Sequence, residues 1–294
     1  MYSLFKSTAF KNVVLIVSAL LITQSTYAQN KQNPWPDRPI RMIVPFSAGG
    51  PIDIVARRVG QKLSDVLKTP VIIDYKAGAN GLIGADYVAK AAPDGYTMLI
   101  MTGSFSANAA LYKKIPFDPI KDFLPISQVY RSYGMVLVVN NDLPVNSLKE
   151  LIAYAHANPG RLSYGSGGYG NASHLVGELL NVQTGASILH VPYKGSGPVL
   201  VDLIAGHIDM MIDTGSLGSI RGGLLKPIAV AANKRLTALP NVPTFAEAGT
   251  PMQASAWYGI VLPANAPADV VEKLNAAVNK ILKSSEIKQK LTDM

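Results

Sequence analysis

The sequence lacks cysteine altogether, and histidine occurs only four times in 294 residues. The absence of cysteine excludes disulfide bonds, thiolate metal sites and a cysteine nucleophile. No pair of histidines has the spacing of a zinc motif such as His-Glu-x-x-His. We therefore expect a protein that holds neither a metal ion nor another cofactor.

Charged residues are also sparse, at 16% of the chain, and the formal net charge is +8. Lysine and arginine are scattered, with no run of five or more and no interleaved aromatic residues. The chain therefore lacks the basic patch of a nucleic-acid-binding protein, and we predict no nucleic-acid partner. A modest positive charge instead favours small anionic solutes.

Long hydrophobic runs are missing except near the N-terminus. Residues 13–22 form an apolar run that follows Lys6 and Lys11 and precedes a small-x-Ala cleavage site ending at Ala28. The run is short for a membrane span, and a membrane anchor helix is the alternative. We predict that residues 1–28 are a cleaved signal peptide and that the mature protein is secreted to the periplasm, which has no ready supply of ATP or NADH.

Strand-like apolar runs alternate with amphipathic, helix-like segments along most of the chain. This alternation is typical of an α/β fold in which helices flank a mostly parallel sheet. Two extended runs, residues 123–130 and 134–140, have little helix between them, and we interpret them as strands that cross between lobes. We predict a two-lobed protein with residues 29–133 and 251–294 in lobe 1 and residues 134–250 in lobe 2.

Glycine, serine and threonine recur at the predicted strand ends, just before helices. The clearest case runs from Phe46 to Gly50 and leads into a helix with Pro51 in its first turn. Such a turn presents backbone N–H groups at the positive end of a helix dipole, where an anion binds without a charged side chain. Similar turns lie at residues 102–104, 165–170, 193–198 and 213–216. Because ligands bind beyond the carboxyl ends of strands in open α/β sheets, we predict that donors from both lobes hold a carboxylate in a hinged cleft.

Three residues of these turns have more than one interpretation. His174 either donates a hydrogen bond to the ligand or ties down its own loop. Lys194 either pairs with the anion or is a solvated loop residue. Asp213 is an N-cap of the next helix, a partner for an amino group of the ligand, or a catalytic base.

The motifs of two enzyme classes are incomplete. Residues 165–170 match the Gly-x-Gly-x-x-Gly dinucleotide pattern, but residues 190–194 include no acid that would bind the ribose. Residues 164–168 fail the nucleophile-elbow pattern because Tyr164 stands in the first glycine position. We predict that the protein is not an enzyme.

Eight segments, in order along almost the whole mature chain, carry a resemblance to a known family. They are residues 35–40 (WPDRPI), 44–50 (VPFSAGG), 89–97 (AKAAPDGYT), 164–166 (YGS), 190–195 (HVPYKG), 209–211 (DMM), 239–244 (LPNVPT) and 257–259 (WYG). As a set, these segments resemble the receptors of tripartite tricarboxylate transporters, also called Bug proteins.

The resemblance implies a periplasmic binding protein of the Venus flytrap type, in which each lobe is a mostly parallel sheet flanked by helices. It implies extracytoplasmic capture of a small organic carboxylate by a monomer, which delivers the acid to the membrane permease subunits of a tripartite tricarboxylate transporter. The ligand-binding residues that we carry over or infer are Phe46, Ser47, Ala48, Gly49, Gly50, Thr102, Ser104, Ser166, Gly168, Gly170, His174, Tyr193, Lys194, Gly195 and Asp213.

Two features depart from the family pattern and bear on the size and polarity of the ligand. Residues 75–77 (YKA) replace a more usual Asn-Arg-Pro stretch, and Leu82 stands where a small or polar residue is common. Family members also usually continue beyond the position of Met294, so we expect a truncated sequence. Two other functions use the same features: a ligand-presenting subunit of a membrane sensor kinase, and a periplasmic enzyme that acts on a carboxylate.

Overall fold

The computed structural model describes residues 35–292. The predicted signal peptide, residues 1–28, lies outside the described residues. Within residues 35–292, no helix combines the length and apolar character needed to cross a bilayer.

The first sheet has five strands in the order β2-β1-β3-β10-β4. The strands are β1 (Ile40–Val44), β2 (Val71–Tyr75), β3 (Thr97–Thr102), β4 (Phe123–Arg131) and β10 (Trp257–Pro263). β1 is parallel to both β2 and β3, whereas β10 is antiparallel to β3 and β4. The sheet is therefore parallel except for β10, the strand that returns from the distant part of the chain.

The second sheet repeats this arrangement in the order β7-β6-β8-β5-β9. The strands are β5 (Met135–Asn140), β6 (Ser163–Ser166), β7 (Leu189–Pro192), β8 (Met210–Asp213) and β9 (Leu225–Ala231). β6 is parallel to β7 and β8, and only β5 is antiparallel to its neighbours. The prediction of two mostly parallel sheets is confirmed.

Nine α-helices are described, of which seven lie between strands and two follow the last strand. They are α1 (Pro51–Leu67), α2 (Leu82–Ala89), α3 (Gly103–Leu111), α4 (Leu148–Ala157), α5 (Ala172–Thr184), α6 (Ser196–Ile204), α7 (Leu217–Arg221), α8 (Ala268–Lys283) and α9 (Ser285–Thr292). We call each sheet with its helices a lobe; α1, α2, α3, α8 and α9 belong to the first and α4–α7 to the second. The sequence did not predict α3, whose start is capped by the Thr102 side chain accepting from the Ser104 N–H.

Both faces of the central strands β5 and β8 are buried, which is why these two strands are almost continuously apolar. Along β5, Leu137 and Val139 pack into one core cluster, while Val136 and Val138 pack into another on the opposite face. In the first lobe, α8 packs against α1 and β4.

The chain crosses between the lobes twice, from β4 to β5 and from β9 to β10. The crossings are joined where Ser132 N–H donates to the Ala256 carbonyl at 2.8 Å and Ala256 N–H donates to the Ser132 Oγ at 2.8 Å. The predicted lobe limits at 133/134 and 250/251 stay a prediction. Met252 packs into a core cluster of the second lobe.

Candidate functional site

The turn between β1 and α1 in the first lobe contacts the start of α6 in the second. Ser47 donates to the Lys194 carbonyl twice, from its N–H at 2.9 Å and from its hydroxyl at 3.1 Å. The Ala48 carbonyl lies so close to Gly197 that a Cβ at that position would stand 2.0 Å from the oxygen. We call this contact, residues 46–50 against residues 194–197, the first seam.

A second seam joins Asn80 and Leu111 of the first lobe to Gly168 and Gly170 of the second. A Cβ on Gly170 would lie 2.4 Å from Leu111 Cδ1 and 3.2 Å from Asn80 Nδ2. Asn80 Nδ2 also donates to the Asn108 Oδ1 at 2.8 Å, which holds the asparagine in place. With contact along both seams, the two lobes are closed on each other.

Closure leaves a cavity of about 90 Å³ that is lined by both lobes and by the second crossing. Its lining consists of Phe46, Gly50, Pro51, Ile52, Thr102, Gly103, Ser104, Met135, Asn171, Ala172, Ser173, Ser196, Asp213, Thr214, Ser255, Ala256, Trp257 and Tyr258. None of these lining residues is lysine, arginine or histidine. Polar groups at the cavity are therefore backbone amides, hydroxyls, one side-chain amide, one indole N–H and one carboxyl.

Four helices begin at this cavity. The first residues of α1, α3, α5 and α6, which are Pro51, Gly103, Ala172 and Ser196, all line it. Two of these helices come from each lobe. Because the first turn of a helix carries unpaired N–H groups and the positive end of the dipole, the cavity favours an anion without any cationic side chain.

Asp213 is the one acidic residue among the residues that line the cavity. It ends β8, is only 3% exposed, and accepts a short hydrogen bond from the Gly215 N–H. Burial raises the pKa of the Asp213 carboxyl, while hydrogen bonds from the Gly215 N–H and from the Ser196 and Ser216 hydroxyls act in the opposite direction.

The predicted ligand-binding residues fall into three groups. Five of them line the cavity: Phe46, Gly50, Thr102, Ser104 and Asp213. Seven others lie in the seams between the lobes: Ser47, Ala48, Gly49, Lys194 and Gly195 in the first, and Gly168 and Gly170 in the second. Lys194 contributes its backbone carbonyl to the first seam. Gly49 turns its N–H inward to the Asp53 carboxylate at 2.8 Å.

The remaining three predicted residues, Ser166, His174 and Tyr193, lie outside the cavity lining and make hydrogen bonds within the second lobe. The Ser166 hydroxyl contacts His190 Nε2 at 2.6 Å. His174 Nδ1 accepts from the Gly170 N–H at 3.1 Å, so this histidine ties down its own loop. The Tyr193 hydroxyl donates to the Asp202 carboxylate at 2.6 Å.

Several cavity residues were not singled out in the sequence. Asn171 caps α5 by accepting from the Ser173 N–H, and an Asn-x-Ser sequence before a helix is a recognisable capping signal. Ser255 and Ala256 reach the cavity because the second crossing pairs with Ser132. That pairing joins residues more than 120 positions apart, and no local sequence signal indicates it.

The family model described as "Tripartite tricarboxylate transporter family receptor" matches residues 55–294. The chain belongs to this receptor family. The receptor is 37% identical to the protein BugT of Bordetella pertussis over 280 residues, which are 94% of this chain and 86% of BugT. The predicted resemblance is confirmed.

Solved structures of related proteins share the fold of this receptor. A Rhodopseudomonas palustris protein with adipate is 38% identical, with a TM-score of 0.84 and coverage of 88% of this chain and 87% of that chain. The R. palustris protein MatC with bound malate is 35% identical, with a TM-score of 0.83 and coverage of 88% and 89%. The family is one of transporter receptors, which confirms the prediction of a non-catalytic protein.

Proposed function

We propose that this receptor captures a small organic carboxylate in the closed cavity and holds it between the two lobes. The observation that carries the proposal is the convergence of four helix starts, two from each lobe, on one cavity without a lysine, arginine or histidine in its lining. A carboxylate is the ligand whose charge and acceptor atoms match such donors. The adipate and malate in the related structures support the same class of ligand.

The cavity volume limits the ligand to a small acid. A cavity of about 90 Å³ is smaller than the roughly 150 Å³ space that holds a benzene molecule in an engineered protein. We infer that a short mono- or dicarboxylate fits with the lobes closed, and that a bulkier acid holds them apart.

The predicted site residues have two different tasks in this proposal. Phe46, Gly50, Thr102, Ser104 and Asp213 contact the ligand, since they line the cavity. The predicted residues of the seams stabilise the closed state that the ligand selects. Binding therefore depends on both sets, because a ligand shifts a two-state equilibrium only by its preference for one state.

We further propose that the protein is a periplasmic monomer that works after removal of residues 1–28. The closed lobes would then present the loaded receptor to the membrane permease subunits of a tripartite tricarboxylate transporter. Family membership supports this partner.

Binding of acids to the purified mature chain tests the proposal. At least one acid from a panel of C3–C6 carboxylates should raise the melting temperature in a concentration-dependent manner, because a ligand that binds only the native state stabilises it. Isothermal titration should give one site per chain. A panel that leaves the melting temperature unchanged at millimolar concentrations would contradict the proposal.

A matched pair of variants on α3 locates the binding to the cavity. Ser104 lies in the cavity lining and is buried, whereas Ser106 is exposed on the same helix. Ser104→Ala should weaken binding about tenfold, because the loss of a buried hydrogen-bond partner costs roughly 1–3 kcal/mol. Ser106→Ala should leave the affinity unchanged. Equal affinities for both variants would place the ligand elsewhere.

A further inference from the structure

The carboxyl of Asp213 has an unusual position for a site that attracts anions. It lies in the cavity lining, almost fully buried, and none of the other residues that line the cavity carries a positive side chain. The Gly215 N–H and the hydroxyls of Ser196 and Ser216 are its hydrogen-bond donors. An ionised carboxylate has about four acceptor positions, so these three donors leave acceptor capacity next to the ligand space.

A bound acid would bring a second carboxylate into the same cavity. Two like charges at short range repel strongly where water is excluded, and buried acceptors without donors destabilise the complex. A hydrogen-bond donor between the two carboxylates removes both problems. The cavity lining offers no cationic side chain for this purpose, whereas an amino or hydroxyl group on the ligand supplies the donor directly.

We propose that Asp213 selects acids that carry an amino or hydroxyl group beside the carboxylate, and that it accepts a hydrogen bond from this group. This inference rests on the proposed function, since it requires a carboxylate in the cavity. The four helix starts bind the carboxylate of the ligand, while Asp213 accepts a hydrogen bond from the N–H or O–H group beside that carboxylate. An ammonium group should be preferred to a hydroxyl group, because it also balances the charge of Asp213.

Asp213 also has a purely local role in the fold. Its Oδ1 accepts from the Gly215 N–H and so shapes the turn after β8. Such a role uses only part of the carboxyl and does not depend on which ligand is bound. The two roles therefore differ in one measurable respect, which is the dependence of affinity on the donor group of the ligand.

Titration of the full-length mature protein with acids that differ in one substituent tests the inference. The probes are succinate, malate and aspartate, together with glutarate, 2-hydroxyglutarate and glutamate. In each set, we expect the amino or hydroxy acid to bind at least tenfold more tightly than the unsubstituted acid. Asp213→Asn should reduce this ratio of affinities to less than threefold. The neutral side chain should bind unsubstituted acids more tightly and amino acids less tightly than the aspartate does.

Asp142→Asn is the matched control, since Asp142 is an exposed aspartate of the second lobe outside the cavity lining. It should retain the wild-type ratio. Unsubstituted acids that bind wild-type protein as tightly as their amino and hydroxy analogues would overturn the inference and leave the proposed function intact. Failure of all carboxylates to bind would instead contradict the proposed function. The wild-type comparison decides the matter even if Asp213→Asn does not fold.

Discussion

The two seams that close this receptor differ in their chemistry. In the first seam, backbone meets backbone: Ser47 N–H donates to the Lys194 carbonyl at 2.9 Å, and the Ala48 carbonyl lies against Gly197. In the second seam, the side chains of Asn80 and Leu111 fit against a glycine loop. The closest interlobe hydrogen bond beside it, from Asn171 Nδ2 to Ser104 Oγ, is long at 3.5 Å.

This difference in chemistry determines which substitutions each seam tolerates. A backbone contact has no side chain that can move aside, so it excludes any Cβ at Gly197. A side-chain contact adapts by rotamer changes or by substitution of the neighbouring residue. We therefore expect the first seam to be rigid and the second to be adaptable. A substitution in the first seam should weaken ligand binding more than one in the second, so ligand affinity distinguishes the two seams.

The largest effect should come from Gly197→Ala. The new Cβ would stand 2.0 Å from the Ala48 carbonyl oxygen, and all three nearest atoms belong to the opposite lobe. Overpacking costs of roughly 3 kcal/mol predict an affinity loss of about 100-fold, because the closed state becomes scarce. The free energy of unfolding should not fall, because the open form avoids the clash and alanine favours the helix.

Isothermal titration and chemical denaturation of Gly197→Ala measure these two quantities. The control is Gly218→Ala in α7, where a Cβ would meet nothing within 4 Å. It should keep wild-type affinity. Wild-type affinity for Gly197→Ala would show that ligand binding does not need the first seam.

Gly170→Ala in the second seam should have a smaller effect that a second substitution reverses. Its Cβ would meet the end of the Leu111 side chain at 2.4 Å, and this flexible side chain can partly withdraw. We expect a loss of affinity of about tenfold, and Leu111→Ala should restore most of it in the double variant. The four affinities of this cycle, measured by titration, give the coupling between the two positions.

Backbone strain at Gly170 needs its own control, because its φ is +77°. Gly160→Ala introduces the same strain at φ +72°, but a Cβ there would meet nothing within 4 Å. Strain persists in both the open and the closed state, so Gly160→Ala should lower stability and leave affinity unchanged. Failure of Leu111→Ala to restore the affinity of Gly170→Ala would contradict the prediction that the second seam is adaptable.

The same seams mark the limit of prediction from the sequence. The alternation of strands and helices and the donors at Gly50, Thr102 and Ser104 were predicted, because strand ends and caps have local signals. The glycine turns were predicted to bind ligand, yet Gly168 and Gly195 approach the opposite lobe. Glycine permits a close approach of the backbone to any partner, so the sequence does not distinguish a ligand from another lobe.

Acidic pH should weaken the loop that forms the second seam. His190 lies beside His174, with ring centroids 4.1 Å apart, and Tyr164, Tyr169 and Glu178 surround the pair. Burial, and next the neighbouring His174, lower the pKa of His190 to about 4, whereas Glu178 opposes the shift. Burial also lowers the pKa of His174.

The sign of the pH effect follows from these shifts. Between pH 6.5 and about 4, the unfolded chain protonates His190 while the folded chain keeps it neutral. The free energy of unfolding should therefore be largest above pH 6.5 and should fall as the pH decreases from 6.5 towards 4. Melting temperatures over this range should fall less steeply for His190→Asn than for the wild type. The exposed-histidine control His207→Asn should follow the wild type; equal slopes for His190→Asn would contradict the prediction.

The smallest effect should come from Ser47→Ala in the first seam. The hydroxyl bond from Ser47 to the Lys194 carbonyl is exposed, at 3.1 Å, and the shorter bond from the Ser47 N–H remains in the variant. The carbonyl keeps a donor, so no buried acceptor is left unpaired, and we expect a loss of affinity of about twofold. Isothermal titration of Ser47→Ala measures this loss of affinity, with Ser106→Ala as the control. A tenfold loss would mean that a side chain, and not the backbone, closes the first seam.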